Sequence, residues 1–183
     1  MSTGIWVLIA VAAVILAAVI VTLLPLRRRM QLRSRFGPEY DRAVEQSGDR
    51  RTAEHELAQR ERRHADLDLH DLSAEQKRHY AGRWALVQER FIDDPQESLT
   101  EADRLISSIL GERGYPTGGF DQQVADLSVE HAAALDHYRA AHAVANHRDS
   151  ASTEDIRGAI VHYRELFHDL VGAEAGTTKG VQQ

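Results

Sequence analysis

The stretch 153-TEDIRGAIVHYRELFHDLV-171 decides the fold class. Ile156, Ile160, Tyr163, Phe167 and Leu170 follow one another at spacings of four, three, four and three. That puts all five on one face of an α-helix and does not fit the period of two of a half-buried strand. Ser152 or Thr153 stands where an N-terminal cap is needed, and Gly172 where the helix can end. One helix with such a face has to bury it against others.

The same period recurs on moving back along the chain. Ala132, Leu135, Tyr138 and His142 carry a helix to about Asn146, with Ser128 as its expected cap. Phe120, Val124 and Leu127 mark a shorter helix, preceded by a loop from Gly111 to Gly119. Leu99, Ala102, Ile106 and Ile109 form the buried stripe of a helix that Asp94 caps and Pro95 opens. Ser73 with Gln76 three residues on is a capping-box signature. It starts a helix through Tyr80, Trp84, Val87 and Phe91 that reaches about Asp93, with Trp84 expected in the core. No strand-like alternation of useful length occurs, so the expected body is all-α, a small bundle over residues 73–171.

Residues 27–72 read as a basic juxtamembrane segment followed by charged connecting helices. Gly37 permits a turn, and Pro38 opens a short helix ending near Gly48, with Phe36 and Tyr40 expected to fold back on neighbouring helices. From Asp49 to Leu67 charge is dense, Leu57 and Leu67 are the only large aliphatics, and Glu56 and Arg60 sit one turn apart. This pattern predicts a solvated helix, a stalk or an outer helix of the bundle. Residues 172–183 are small and polar except for Val181 and are expected to be disordered.

Upstream of all this lies an uncharged run from Ile5 to Leu26. As a helix it reaches roughly 33 Å, enough for a bilayer core. Every flanking cation is on its C-terminal side: Arg27, Arg28 and Arg29 at once, then Arg33 and Arg35. The positive-inside rule then predicts an uncleaved single-pass transmembrane anchor in the inner (plasma) membrane, residues 1–4 outside and the body cytoplasmic. Trp6 suits the outer interface, and Ala10, Ala13 and Ala17 share a face on which a second helix fits. The lipid bilayer is thus one expected partner, met through Trp6 and the five arginines.

Charge narrows the other partners. All 28 acidic residues but only 17 of the 22 basic ones lie after Arg35, so the body carries an excess of 11 negative charges and is no surface for a nucleic acid. With no cysteine there is no disulfide, no thiolate zinc site and no thiol nucleophile.

The ordered set Arg35-Phe36-Gly37-Pro38-Glu39-Tyr40, Glu112-Arg113-Gly114-Tyr115-Pro116 and Ser152-Thr153-Glu154-Asp155-Ile156-Arg157, leading into His162-Tyr163-Arg164, resembles an uncharacterised family of bacterial, mostly actinobacterial, single-pass membrane proteins with a helical soluble domain. The resemblance implies an address and a fold, and no catalytic residues.

Ten histidines invite a metal hypothesis, but His131, His137, His142 and His147 are six, five and five apart and do not stack on one helix face. Glu165 and His168 have the Glu-x-x-His spacing of di-iron bundles, without the second pair such a site requires. The glycine-rich loop lacks the Gly-Lys-Ser/Thr ending of a phosphate loop and follows no strand, leaving Arg113 and Tyr115 as candidates for a recognition surface. No Gly-x-Ser-x-Gly elbow is present. No metal or cofactor is expected. The function these features predict is a membrane-anchored, non-enzymatic helical module that binds another protein or another copy of itself. The alternatives are a small-molecule-binding or enzymatic bundle with a site between helices, and a histidine-based pH or envelope-stress sensor.

Overall fold

The computed structural model describes residues 4, 6, 11, 12 and 26–172. The span expected over 5–26, with its face at Ala10, Ala13 and Ala17, lies outside the described residues except for Trp6, Val11, Ala12 and Leu26, as does the tail after Gly172. Among the described residues the regular elements are all helical, and no helix is long and apolar enough to cross a membrane. The chain divides into two compact units after Glu61.

The first unit holds the helical residues 26–36 (α1), α2 (Pro38–Ser47) and most of α3 (Arg50–Ala65). Gly37, at φ +49°, separates α1 from α2 in a backbone conformation that favours glycine, and Pro38 sits in the first turn of α2 where its missing N–H costs nothing. Gly48 ends α2 in a left-handed conformation. Asp49 then opens α3, accepting from the Thr52 N–H at 2.9 Å and the Thr52 hydroxyl at 2.8 Å, bonds that hold its carboxyl below the usual range. Leu32, Phe36, Tyr40, Ala43, Ala53, Leu57 and Ala58 are buried, and the Tyr40 hydroxyl donates to Glu54 at 2.8 Å. α3 is thus not solvated on every side. Its buried side is built from Leu57 with the small residues Ala53 and Ala58, which a search for large aliphatics passes over.

The second unit contains α4 (Ala74–Asp93), α5 (Pro95–Glu112), α6 (Phe120–Leu127), α7 (Leu135–Asn146) and α8 (Thr153–Val171). Capping explains most of their limits. At Ser73 the side chain accepts from the Gln76 N–H and Gln76 reaches back to the Ser73 N–H, and Ser152 with Asp155 repeats the box before α8. Asp94 ends α4 and caps α5 through the Glu97 N–H at 3.1 Å, with Pro95 first in the helix. Ser128 departs from expectation. It ends α6, its hydroxyl donating to the Ala125 carbonyl at 2.6 Å, and α7 instead follows a 3-10 turn at Ala132–Ala134 with no side-chain cap.

α4 and α5 form an antiparallel hairpin, pinned near its joint by the buried Ser98 hydroxyl donating to Val87 O at 2.8 Å. α8 packs on both α5 and α7. Between them lies a core of Leu99, Leu105, Ile106, Ile109, Leu110, Leu135, Tyr163 and Leu166, all fully buried. Trp84 belongs to it, stacked on Phe167 with ring centroids 5.0 Å apart. Ile156, Ile160, Tyr163, Phe167 and Leu170 are all buried, as their spacing predicts. Asp126 of α6 is fully buried and ionically paired with Arg63 at 2.8 Å.

Candidate functional site

Asp103 lies at the edge of the buried stripe of α5, between Ala102 and the exposed Arg104, and so faces its neighbouring helices while keeping access to solvent. Tyr163, in the middle of the α8 face, donates its hydroxyl to Asp103 Oδ1 at 2.5 Å. His142 of α7 brings Nδ1 to the same oxygen at 3.4 Å. The imidazole is held on its other side by Phe120, whose ring lies parallel to it at 3.9 Å. Burial pushes the Asp103 carboxyl up, but the hydrogen bonds from His142 and Tyr163, with the charge of Arg148, outweigh it and hold the group below the usual carboxylate range. Burial and the adjoining Asp103 charge push the Tyr163 phenol far up. The result is a fixed carboxylate with neutral tyrosine behind it.

This carboxylate lines a cleft of about 220 Å³ together with Thr100 and Arg104 of α5, Ala145 and Asn146 of α7, and Arg148 of the 3-10 turn Arg148–Ser150. Gln96 ties that turn to the start of α5 by donating to Arg148 O at 3.5 Å. The Thr100 hydroxyl is committed to Gln96 O at 3.0 Å. The cleft therefore presents one carboxylate, two guanidinium groups and an amide over little apolar surface.

A second cleft, of about 190 Å³, separates α4 from α8 and is lined by Gln88, Phe91, Arg157, Ile160, Val161 and Arg164. The Arg157 guanidinium lies over the Phe91 ring at 5.5 Å. Val161, in the lining, is 42% exposed, and Ile92, next to Phe91 in sequence, is 81% exposed.

In the Glu112-Arg113-Gly114-Tyr115-Pro116 segment, Arg113 and Tyr115, the expected recognition residues, are instead both buried. Arg113 donates from Nη1 to Leu170 O at 3.1 Å, closing the C-terminal end of α8, and its carbonyl accepts from His70 N at 3.1 Å. Gly114 has φ +90°, and a Cβ there would run into the Asp68 carbonyl oxygen. Tyr115 packs between the rings of His64 and His131, each at 6.2 Å, and burial, aided by the Glu130 carboxylate, pushes its phenol up to about 12. The segment clamps the end of the bundle.

Of the remaining histidines, His137 and His162 meet Nδ1 to Nδ1 at 2.9 Å across α7 and α8, one ring donating to the other. Among the described residues no three histidine, aspartate or glutamate side chains converge to hold a metal ion. The topology residues sit in the first unit. Trp6, Arg27 and Arg28 are exposed, Arg29 lies beside the Tyr40 hydroxyl, Arg33 pairs with Asp41 at 3.2 Å, and Arg35 pairs with Glu61 at 3.4 Å. Sequence spacing missed the cluster of Asp103, His142 and Tyr163, whose members come from three helices. The one signal was Tyr163 itself, since a tyrosine in an apolar stripe needs a partner for its hydroxyl.

Comparison with known protein families, with curated proteins and with solved structures finds no match to this chain.

Proposed function

We propose that this protein is a non-enzymatic, membrane-anchored helical module whose bundle engages another protein or a second copy of itself. The observation that carries the anchor is the exposure of apolar side chains along the uncharged run: Trp6, Val11 and Leu26 are 63%, 51% and 52% exposed, which suits lipid better than water. Arg27 and Arg28 follow directly, and this order favours a single pass of the inner membrane with the acidic body on the cytoplasmic side. The resemblance to single-pass actinobacterial membrane proteins supports the same placement. The cleft between α4 and α8, apolar at its floor and rimmed by Arg157 and Arg164, is the face of the bundle best suited to a partner.

Single cysteines in place of Ser2 and of Ser150, probed on intact cells with an impermeant maleimide, test the orientation. Labelling at position 2 alone is expected, and labelling at 150 overturns it. A photo-crosslinking residue at Val161 should trap one discrete species in membranes, and repeated recovery of monomer alone overturns the interaction reading.

A further inference from the structure

Both hydrogen bonds that Asp103 accepts fall on Oδ1, from Tyr163 and from His142. Oδ2 has neither, and the side chain is 33% exposed on the cleft, so Oδ2 is the atom a ligand meets. Two arginines, Arg104 and Arg148, line the same cleft. Arg104 pairs with Glu97 at 3.6 Å, Arg148 pairs with Asp149 at 4.0 Å besides the pull of its charge on Asp103, and their side chains are 68% and 50% exposed.

The charge pattern selects the ligand. A simple anion drawn by the two arginines would share the cleft with a carboxylate that the protein keeps ionised, and a simple cation drawn by Asp103 would share it with two guanidinium groups; within one small cleft either mismatch offsets part of the attraction. A molecule with one charge of each sign, a few bonds apart, meets neither penalty. Size adds a second limit, since about 220 Å³ falls below the range of pockets for drug-sized ligands, and the walls offer Thr100, Asn146 and Ala145 but no large apolar side chain. Tyr163 and His142 act as positioning residues that hold Asp103 in place. We infer that the cleft binds a free α-amino acid, its carboxylate between Arg104 and Arg148 and its ammonium on Asp103 Oδ2. This site is separate from the anchor and from the α4–α8 face, and so adds ligand sensing to the proposed function without resting on it.

The test is a ligand-observed NMR titration of the full chain in detergent micelles against each of the twenty protein amino acids. At least one is expected to bind saturably. Its N-acetyl and its carboxamide derivatives, each lacking one charge, should bind about tenfold more weakly or worse, and inorganic phosphate should not displace it. Arg148→Gln, an exposed position whose substitution leaves the helices intact by circular dichroism, should weaken binding by a similar factor, as should Asp103→Asn. No saturable binding by any amino acid, equal binding of the N-acetyl derivative, or binding unchanged in Arg148→Gln each overturns the inference. Displacement by phosphate with no effect of Asp103→Asn overturns it in favour of a plain anion site.

Discussion

Arg113 Nη1 donates to the Leu170 carbonyl at 3.1 Å and approaches His131 Nε2 at 3.4 Å, while His131 Nδ1 meets Asp169 at 2.6 Å. One buried guanidinium therefore closes a helix end and fixes the tautomer of a buried histidine, with Nδ1–H directed to Asp169. Arg113→Met should destabilise the protein by about 2–3 kcal/mol, through the lost charged hydrogen bond and an orphaned carbonyl. Urea unfolding followed by circular dichroism measures it, with the exposed Arg83→Met as a control expected within about 0.5 kcal/mol of wild type.

Gly114→Ala meets two penalties at one position, a φ of +90° and an overlap with the Asp68 carbonyl. A loss of about 2–4 kcal/mol is expected. Gly118→Ala, where an added Cβ meets nothing within 4 Å, should cost far less. Equal thermal midpoints for the two variants would refute the close approach of Asp68.

Trp84 and Phe167 stack at 5.0 Å inside the core, whereas Trp6 is 63% exposed. In Trp6→Phe the remaining indole should emit at short wavelength and resist acrylamide quenching. Phe167→Ala should then red-shift that emission and cost about 3–5 kcal/mol.

Asp103 gives the bundle an acid-sensitive joint. Its folded carboxyl titrates below the unfolded one, so its contribution is complete above the unfolded value of about 4 and is lost as pH falls through the folded value. Asp103→Asn should lower stability at pH 6 by about 1–2 kcal/mol, the partial exposure of the site limiting the effect. Below about pH 4 the gap between the two proteins should close. A constant gap from pH 6 to pH 3 in denaturant titrations contradicts this.

All five tyrosines are shifted upward, Tyr115 to about 12, with burial as the leading cause at each. A raised phenol stabilises the fold below the unfolded value near 10 and ceases to do so as pH climbs through the folded value. For Tyr115 that window runs from about 10 to 12. Absorbance at the tyrosinate band should therefore stay well under half of its full amplitude at about pH 10, where an unfolded chain reaches half, and the rest should appear together with loss of helicity.

Local chemistry was readable in the sequence wherever a cap or a stripe is written in neighbouring residues. Ser73 with Gln76, Asp94 with Pro95, and the stripe from Ile156 to Leu170 each act within a few residues, so their outcome does not wait on the rest of the fold. Ser128 shows the limit, because a serine between two helices can serve either one, and the 3-10 turn after it decided the matter. Arg113 and Tyr115 looked like loop residues free to recognise something, but contacts with residues distant in sequence bury both: His70, Asp71 and Leu170 at Arg113, His64 and His131 at Tyr115. The cluster at Asp103 joins residues 39 and 60 positions apart, with nothing local to announce it.

The joint between α4 and α5 is a single residue, with Asp94 serving as the last stop of one helix and the first cap of the next. Such a joint works as a phase gauge. One residue added inside α5 ahead of Leu99 turns the rest of that helix by about 100°. The apolar face would then leave the core and Asp103 would leave Tyr163 and His142, so the chain has no freedom to drift in length at this point, and the cleft inherits its alignment from a turn on the far side of Leu99.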